Sequence, residues 1–456
     1  MFRPSRRSAY RKQRRLPWPL ITLLTVPLLF IVLEVLARTL AGVTGQSNEL
    51  AAYQGKPTKV TAYGLRFLDA SHQPYDGLPV KGQLAAKPSL VTGYKLVSQQ
   101  QSEFWQVNEQ GFRSDRPVPL TKPKGETRIF VLGGSTAFGQ MSSNNQATFA
   151  HKLEASLNQQ VAQQKQNPGK FRPDVLPYYK EEVDKALALP PRIRDGKYRV
   201  VNAAVPGYAS GNELAQLAMQ VLAYQPDMIM VVDGYRDLLL PSTEEGVTVP
   251  GAEALLENAP RHFSAHLSQQ LGNLVTQSYL VKGVQYWLLK PEPSVDELSL
   301  VAASSDAPLT QQLPSNPTEL ERRANRYYSH LQQMARLATA AKVPLIVALQ
   351  PEVTSRTGKN ISAEEARIQQ ALGDSYSQRV KAGYGEMERA MTQVQKEFPK
   401  TVTALNLYNL YGNFSGQAFV DTIHLTDAAH AVLANRLYDT ITKLLKVPVQ
   451  PNPSPS

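Results

Sequence analysis

The stretch "RIFVLGGSTAFGQ", Arg128 to Gln140, runs from an apolar strand into two glycines, a Ser-Thr pair and a third glycine. Turns of this composition cradle phosphates, bind dinucleotides, or present a serine. A P-loop requires Gly-x-x-x-x-Gly-Lys-Ser/Thr, in which the lysine reaches the phosphates and the hydroxyl binds Mg²⁺. Gly134 and Gly139 have that spacing, but Gln140 and Met141 follow, so both chemical groups are missing. A dinucleotide turn requires Gly-x-Gly-x-x-Gly, and Gly133-Gly134 followed by Gly139 does not supply it. Two readings of Ser135 remain open: a nucleophile exposed on a strand-to-helix turn, or a helix N-cap.

Working outward, continuously apolar runs alternate with helical stretches. Strands are expected at Arg128–Gly133, Tyr198–Ala204, Met228–Asp233, Pro344–Leu349 and Val402–Leu407. Helices are expected at Thr148–Gln164, Gly211–Ala223, Pro317–Ala341, Gly385–Glu397 and Thr426–Leu445. Strands apolar on both faces and separated by helices imply a parallel sheet covered on both sides. Ligands bind such sheets at the carboxyl ends of the strands. Two polar insertions, at about 159–196 and 241–316, interrupt the pattern. The second contains "SYLVKGVQYWLLK", whose Tyr286-Trp287 reads as the apolar face of a cap helix.

The chain has 456 residues and no cysteine, which removes disulfides, thiolate metal sites and a cysteine nucleophile. Its net charge of +11 is concentrated at the start, where seven Arg and Lys precede residue 16. The remaining +4 forms no basic stripe with interleaved aromatics, so nucleic acid is not an expected partner. The basic tail, residues 1–15, abuts the apolar run 16–41. About 20 apolar residues span a bilayer, and flanking cations stay on the cytoplasmic side. The run is too long for a signal-peptide core. An uncleaved signal anchor is therefore expected, with Glu34 and Arg38 paired at i, i+4 and the rest of the chain periplasmic or extracytoplasmic. Residues 42–125 read as an irregular, β-rich lead-in, residues 126–446 as the main domain, and 447–456 as a disordered tail.

A base and an oxyanion site for Ser135 would have to come from later strand ends. In "NAAVPGYASGNELAQL", Gly207 sits in a tight turn able to aim an N–H at an oxyanion. In "FVDTIHLTDAAH", Asp421 and His424 are three residues apart, so the carboxylate can fix the imidazole tautomer. Asp233 and Asp237 in "VVDGYRD" read as turn or cap carboxylates that could also contact substrate, and Asp427 as a first-turn helix carboxylate. His262 and His266 form His-x-x-x-His but lack the glutamate of a zinc protease, and read as a surface helix in the insertion. His151 and His430 read as ordinary helix residues, His430 on the surface.

The blocks "GGST", "NAAVPGY", "DGYRD" and "DTIHLTDAAH", in this order, resemble the SGNH, or GDSL-like, hydrolase family. The lead-in "VNEQGFRS" is similar to that of membrane-anchored members with an N-terminal transmembrane helix. The resemblance implies a flavodoxin-like three-layer α/β/α sandwich with a mainly parallel five-stranded sheet. It implies a Ser-His-Asp triad, with Ser135 as nucleophile, His424 as base and Asp421 as its orienting partner. The oxyanion hole would be Ser135, Gly207 and the third-block position, where Arg236 replaces the family's Asn. No cofactor or metal is implied. The expected activity is that of a membrane-anchored serine esterase, or acyltransferase, acting on ester groups of envelope polysaccharide or lipid. The alternative is a catalytically degenerate member that binds glycans or assists polysaccharide O-acetylation.

Overall fold

The computed structural model describes residues 18–47, 50, 53, 58–69, 82–246, 278–289 and 308–450. The basic tail, His262, His266 and residues 451–456 lie outside them. The chain divides into two compact units, 1–58 with 263–292, and 59–262 with 293–456.

The larger unit begins with small strands: β1 (Leu65–Phe67), β2 (Leu84–Ser89), β3 (Gly93–Leu96), β4 (Gln100–Gln101) and β5 (Gln106–Val107). The main sheet is β6 (Glu126–Gly133), β7 (Lys197–Asn202), β8 (Met228–Asp233), β9 (Leu345–Leu349) and β10 (Val402–Asn406). Its order is β10-β9-β8-β6-β7 with every pair parallel, the doubly wound order of flavodoxin. β8 and β9 are buried at every position, which is why their sequences are unbroken apolar runs. All five expected strands are present, to within two residues at each end.

The strand order reverses at β6, so the loops after β6, β7 and β8 open into one crevice. Gly133 ends β6 with φ +143°, and a Cβ there would sit 2.3 Å from the Val232 carbonyl oxygen. Only glycine lets β6 lie this close to β8 and still turn into the helix that starts at Ser135.

The helix expected at Gly385–Glu397 is much longer, Ala363–Glu397, with a non-helical Gly373 inside it. Its start is a capping box: Ser362 accepts from the Glu365 N–H, and Glu365 accepts from the Ser362 N–H. The interior glycines obscured this helix in the sequence. The expectation of an unpacked tail is corrected for Val447–Gln450. Val447 N–H donates to Arg192 O, and Gln450 N–H to Asp174 O, so these residues pair with the first insertion.

In the smaller unit, Trp18–Val43 is one helix. Glu34 accepts from Arg38 Nε at 2.8 Å, the expected i, i+4 pair. It also accepts from Ser278 Oγ and from the N–H groups of Tyr279 and Leu280. Glu34 thus caps the helix Tyr279–Gly283, which continues as a π-helical turn, Val284–Leu289. Tyr286 packs edge-on against Tyr53, 5.3 Å between centroids. The segment read as a cap helix therefore belongs to the unit built on the N-terminal helix. Among the described residues no helix is long and apolar enough to cross a membrane. Of the expected anchor, residues 16 and 17 and the side chains of 18–24, 26 and 27 lie outside the described residues.

Candidate active site

Ser135 opens a four-residue helix, Ser135–Phe138, whose N-cap is Gly134 with no side-chain cap. Its first N–H groups have no intrahelical acceptor, and Gly134 and Ser135 line the crevice. Ser135 is therefore not the N-cap that the sequence left open. Gly139 closes the helix in the left-handed conformation, φ +84°.

The loop after this helix is held by a residue that sequence reasoning missed. Arg113 is 4% exposed and donates to Phe138 O, Gly139 O, Tyr63 Oη, Phe104 O, Ser142 Oγ and Asn145 Oδ1 at 2.7–3.0 Å. A cation at a helix C-terminus also complements the helix dipole.

Asp421 and His424 are both 0% exposed. His424 Nδ1 lies 2.5 Å from Asp421 Oδ2, while Asp421 Oδ1 accepts the N–H groups of Ile423 and His424. This places the ring proton on Nδ1 and leaves Nε2 as an acceptor. Nε2 is buried without a hydrogen-bond partner, so Ser135 Oγ is not bonded to it here. Nucleophile–base bonds are commonly long in an empty site and tighten with substrate bound. The two segments are already tied, because Thr136 Oγ1 donates to Ile423 O at 3.2 Å and accepts from Gln350 Nε2 at 3.0 Å.

The histidine loop rests on a second buried arginine. Arg356 donates to the carbonyls of Tyr411, Phe414, Asn360 and Gly416 and pairs with Glu365. Glu365 in turn accepts from the Ala418 and Phe419 N–H groups.

One cleft collects Ser135, Gly207, Asp233, Arg236, Gln350 and Ile423 along its walls. Gly207 has φ +86°, a left-handed conformation that glycine adopts without strain. Burial lowers the Arg236 guanidinium below its usual range, opposed by Tyr94, Glu244 and Asp237. Asp237 accepts from Ser210 N–H and Ser210 Oγ and so ties the β8 turn to the glycine block. Asp427 lies in the first turn of its helix and accepts from Ser143 N–H. His430 is corrected from surface to core. It is 0% exposed, stacks on Phe149 at 6.1 Å, and burial pushes its pKa down to about 3.

Glu352, after β9, is fully buried, and burial raises its pKa to about 7, against its hydrogen bonds from Thr354 and Tyr376. The folded chain then keeps a proton that the unfolded chain releases above about pH 4.3. Its stability contribution therefore falls as pH rises from there to about 7, then stays level. Glu352→Gln is expected to match the wild type near pH 4 and to exceed it by a few kcal/mol near pH 8, read by urea unfolding. An equal gain at both pH values would show that burial does not hold that proton.

A family model described as GDSL-like lipase/acylhydrolase matches residues 129–437. No curated protein matches the chain in sequence. Among solved structures, the lipase/acylhydrolase from Enterococcus faecalis aligns at TM-score 0.35 and 11% identity, over 71% of this chain and 98% of that one. An acetyl xylan esterase aligns at TM-score 0.33 and 9% identity, over 69% and 99%. A two-domain esterase active on acetylated mannans aligns at TM-score 0.31 and 12% identity, over 73% of this chain and 53% of that one. This chain thus spans about half the length of that esterase.

Proposed function

This chain belongs to the GDSL-like lipase/acylhydrolase family, and from that premise we propose a membrane-anchored serine esterase that removes or transfers short acyl groups on envelope polysaccharide or lipid. The observation that carries the reading is the Asp421–His424 pair, with Nε2 left as a buried, unfilled acceptor beside the Ser135 helix.

In this reading Ser135 Oγ attacks the ester carbonyl while His424 Nε2 takes its proton. Asp421 holds the tautomer and balances the imidazolium. The oxyanion is met by the N–H groups of Ser135 and Gly207 and by the Arg236 guanidinium. Collapse expels the alcohol, which takes the proton from His424, and leaves an acyl-serine. Water, or a sugar hydroxyl in a transfer reaction, then attacks by the same steps in reverse.

Anchoring is supported by the seven cations ahead of the apolar run. It is also supported by the outward-facing Leu28, Leu29, Ile31 and Val35, all more than half exposed along the N-terminal helix. With the N-terminus cytoplasmic, the site works on the far side of the membrane, where ester-bearing polysaccharide and lipid are found. The test is hydrolysis of p-nitrophenyl acetate and acetate release from an acetylated polysaccharide by membranes carrying the full chain. Activity on neither substrate would contradict the reading.

Arg236 distinguishes this reading from a degenerate, glycan-binding member. As an oxyanion donor its loss costs about 10²–10³-fold in kcat, as for other such donors. Arg236→Ala is expected to show that loss with little change in KM. An active enzyme indifferent to Arg236→Ala would remove Arg236 from the hole.

A further inference from the structure

Behind the cleft lie two carboxyl groups that the proposed reaction does not use. Glu213, on the helix Ser210–Met219, is 0% exposed, and Asp233, the last residue of β8, is 2% exposed. Their side chains face one another within hydrogen-bonding reach. Tyr327 donates to Asp233 Oδ1 at 2.8 Å. As two carboxylates they would leave Glu213 Oε1, Glu213 Oε2 and Asp233 Oδ2 buried with no partner. Carboxylates only accept, so the pair can bond to itself only if it carries a proton. Buried, adjacent acids hold protons for this reason.

Resting on the esterase reading above, we propose that Glu213 and Asp233 form a proton-holding pair that sets the charge of the oxyanion side of the cleft. With the pair protonated, Arg236 faces the forming oxyanion with no new carboxylate beside it. When the pair loses a proton to solvent, Asp233 puts negative charge into the wall it shares with Ser135, Gly207 and Arg236. That charge opposes the oxyanion, and turnover falls.

Among the described residues, no Lys or Arg is set against the pair itself. Tyr327 and Tyr384 face it from the long helices, and Tyr208 from the glycine block. Asp237 adds like charge and is itself held by Ser210, whose Oγ also contacts His330 Nδ1. Arg236 faces Asp237, Glu244 and Tyr94, and Arg326 donates to the Asp237 carbonyl. Burial raises Asp233 to about 7 and Glu213 well above the usual carboxyl range, which puts the first ionisation near neutrality.

The experiment is the pH profile of kcat/KM on a short acyl ester for the wild type, Asp233→Asn and Glu213→Gln. The wild type should fall about tenfold on the alkaline side of neutral, the effect of one partly screened charge in the cleft. Asp233→Asn should abolish that fall. Glu213→Gln, whose amide donates to Asp233 and favours its ionised form, should move the fall to lower pH. A packing role alone would not abolish the limb in one variant and move it in the other. Two folded variants that keep the wild-type limb would overturn the proposal. The proton is also read without catalysis, as the protonated-carboxyl infrared band that Asp233→Asn removes. No such component at mildly acidic pH would overturn the pair even in a chain that turns over no ester. The same Asp233-dependent band, titrating in an inactive chain, would overturn only the esterase reading.

Discussion

Ser135→Ala is expected to lower kcat on short acyl esters by about 10⁴–10⁶-fold, with KM nearly unchanged. His424→Gln is expected to fall by a similar factor, and the double variant to be little worse than either single one. That non-additivity is the signature of residues acting as one unit. The physical reason lies in the geometry at His424. Its Nδ1 is committed to Asp421, and its Nε2 is an acceptor with no hydrogen-bond partner. In the proposed mechanism, losing the serine removes the attacking atom, and losing the imidazole removes the group that takes its proton. Near-additive losses, or a Ser135→Ala chain of full activity, would mean that the two do not work together.

The largest effect on stability is expected at Arg113. Its guanidinium donates to six acceptors contributed by three stretches of chain, at Tyr63, at Phe104 and from Phe138 to Asn145. It also lies 4.8 Å from the Phe138 ring centroid and 5.5 Å from that of Tyr63. Arg113→Met keeps the stem but strands the carbonyls at the end of the Ser135 helix. Removing the charged hub of a buried network typically costs about 3–5 kcal/mol, and urea unfolding should show a loss of that size. Activity should fall too, because the loop from Gly139 to Asn145 would no longer brace the serine helix. A change below about 1 kcal/mol, as for an exposed ion pair, would show that water replaces the arginine.

The sheet was legible because its inner strands β8 and β9 are buried at every position, which calls for unbroken apolar runs. The serine turn, Gly207 and Asp421 with His424 were legible because each follows a strand in the order that the topology uses. What stayed hidden depends on distant partners. Arg113 reaches Phe138 and Gly139 across some 25 residues, and Arg356 reaches Gly416 across 60. Neither hydrogen bond leaves a local pattern. Asp233 read as a turn carboxylate because Glu213, 20 positions earlier, lies on a different element. His430 read as surface because its helix alone does not reveal that Phe149 covers it. The helix Ala363–Glu397 was obscured by glycines, although "SAEE" carried a capping box that could have marked its start. Arg236 was visible as a departure from the family pattern.

The central claim is that Ser135 is the nucleophile. Its most direct test is the site of covalent modification by a fluorophosphonate, which captures an activated serine as a stable phosphonyl ester. Intact mass and peptide mapping should show a single adduct, on the peptide carrying Ser135, that Ser135→Ala abolishes and His424→Gln slows severely. No adduct on the folded wild type, or an adduct on another serine, would contradict the account.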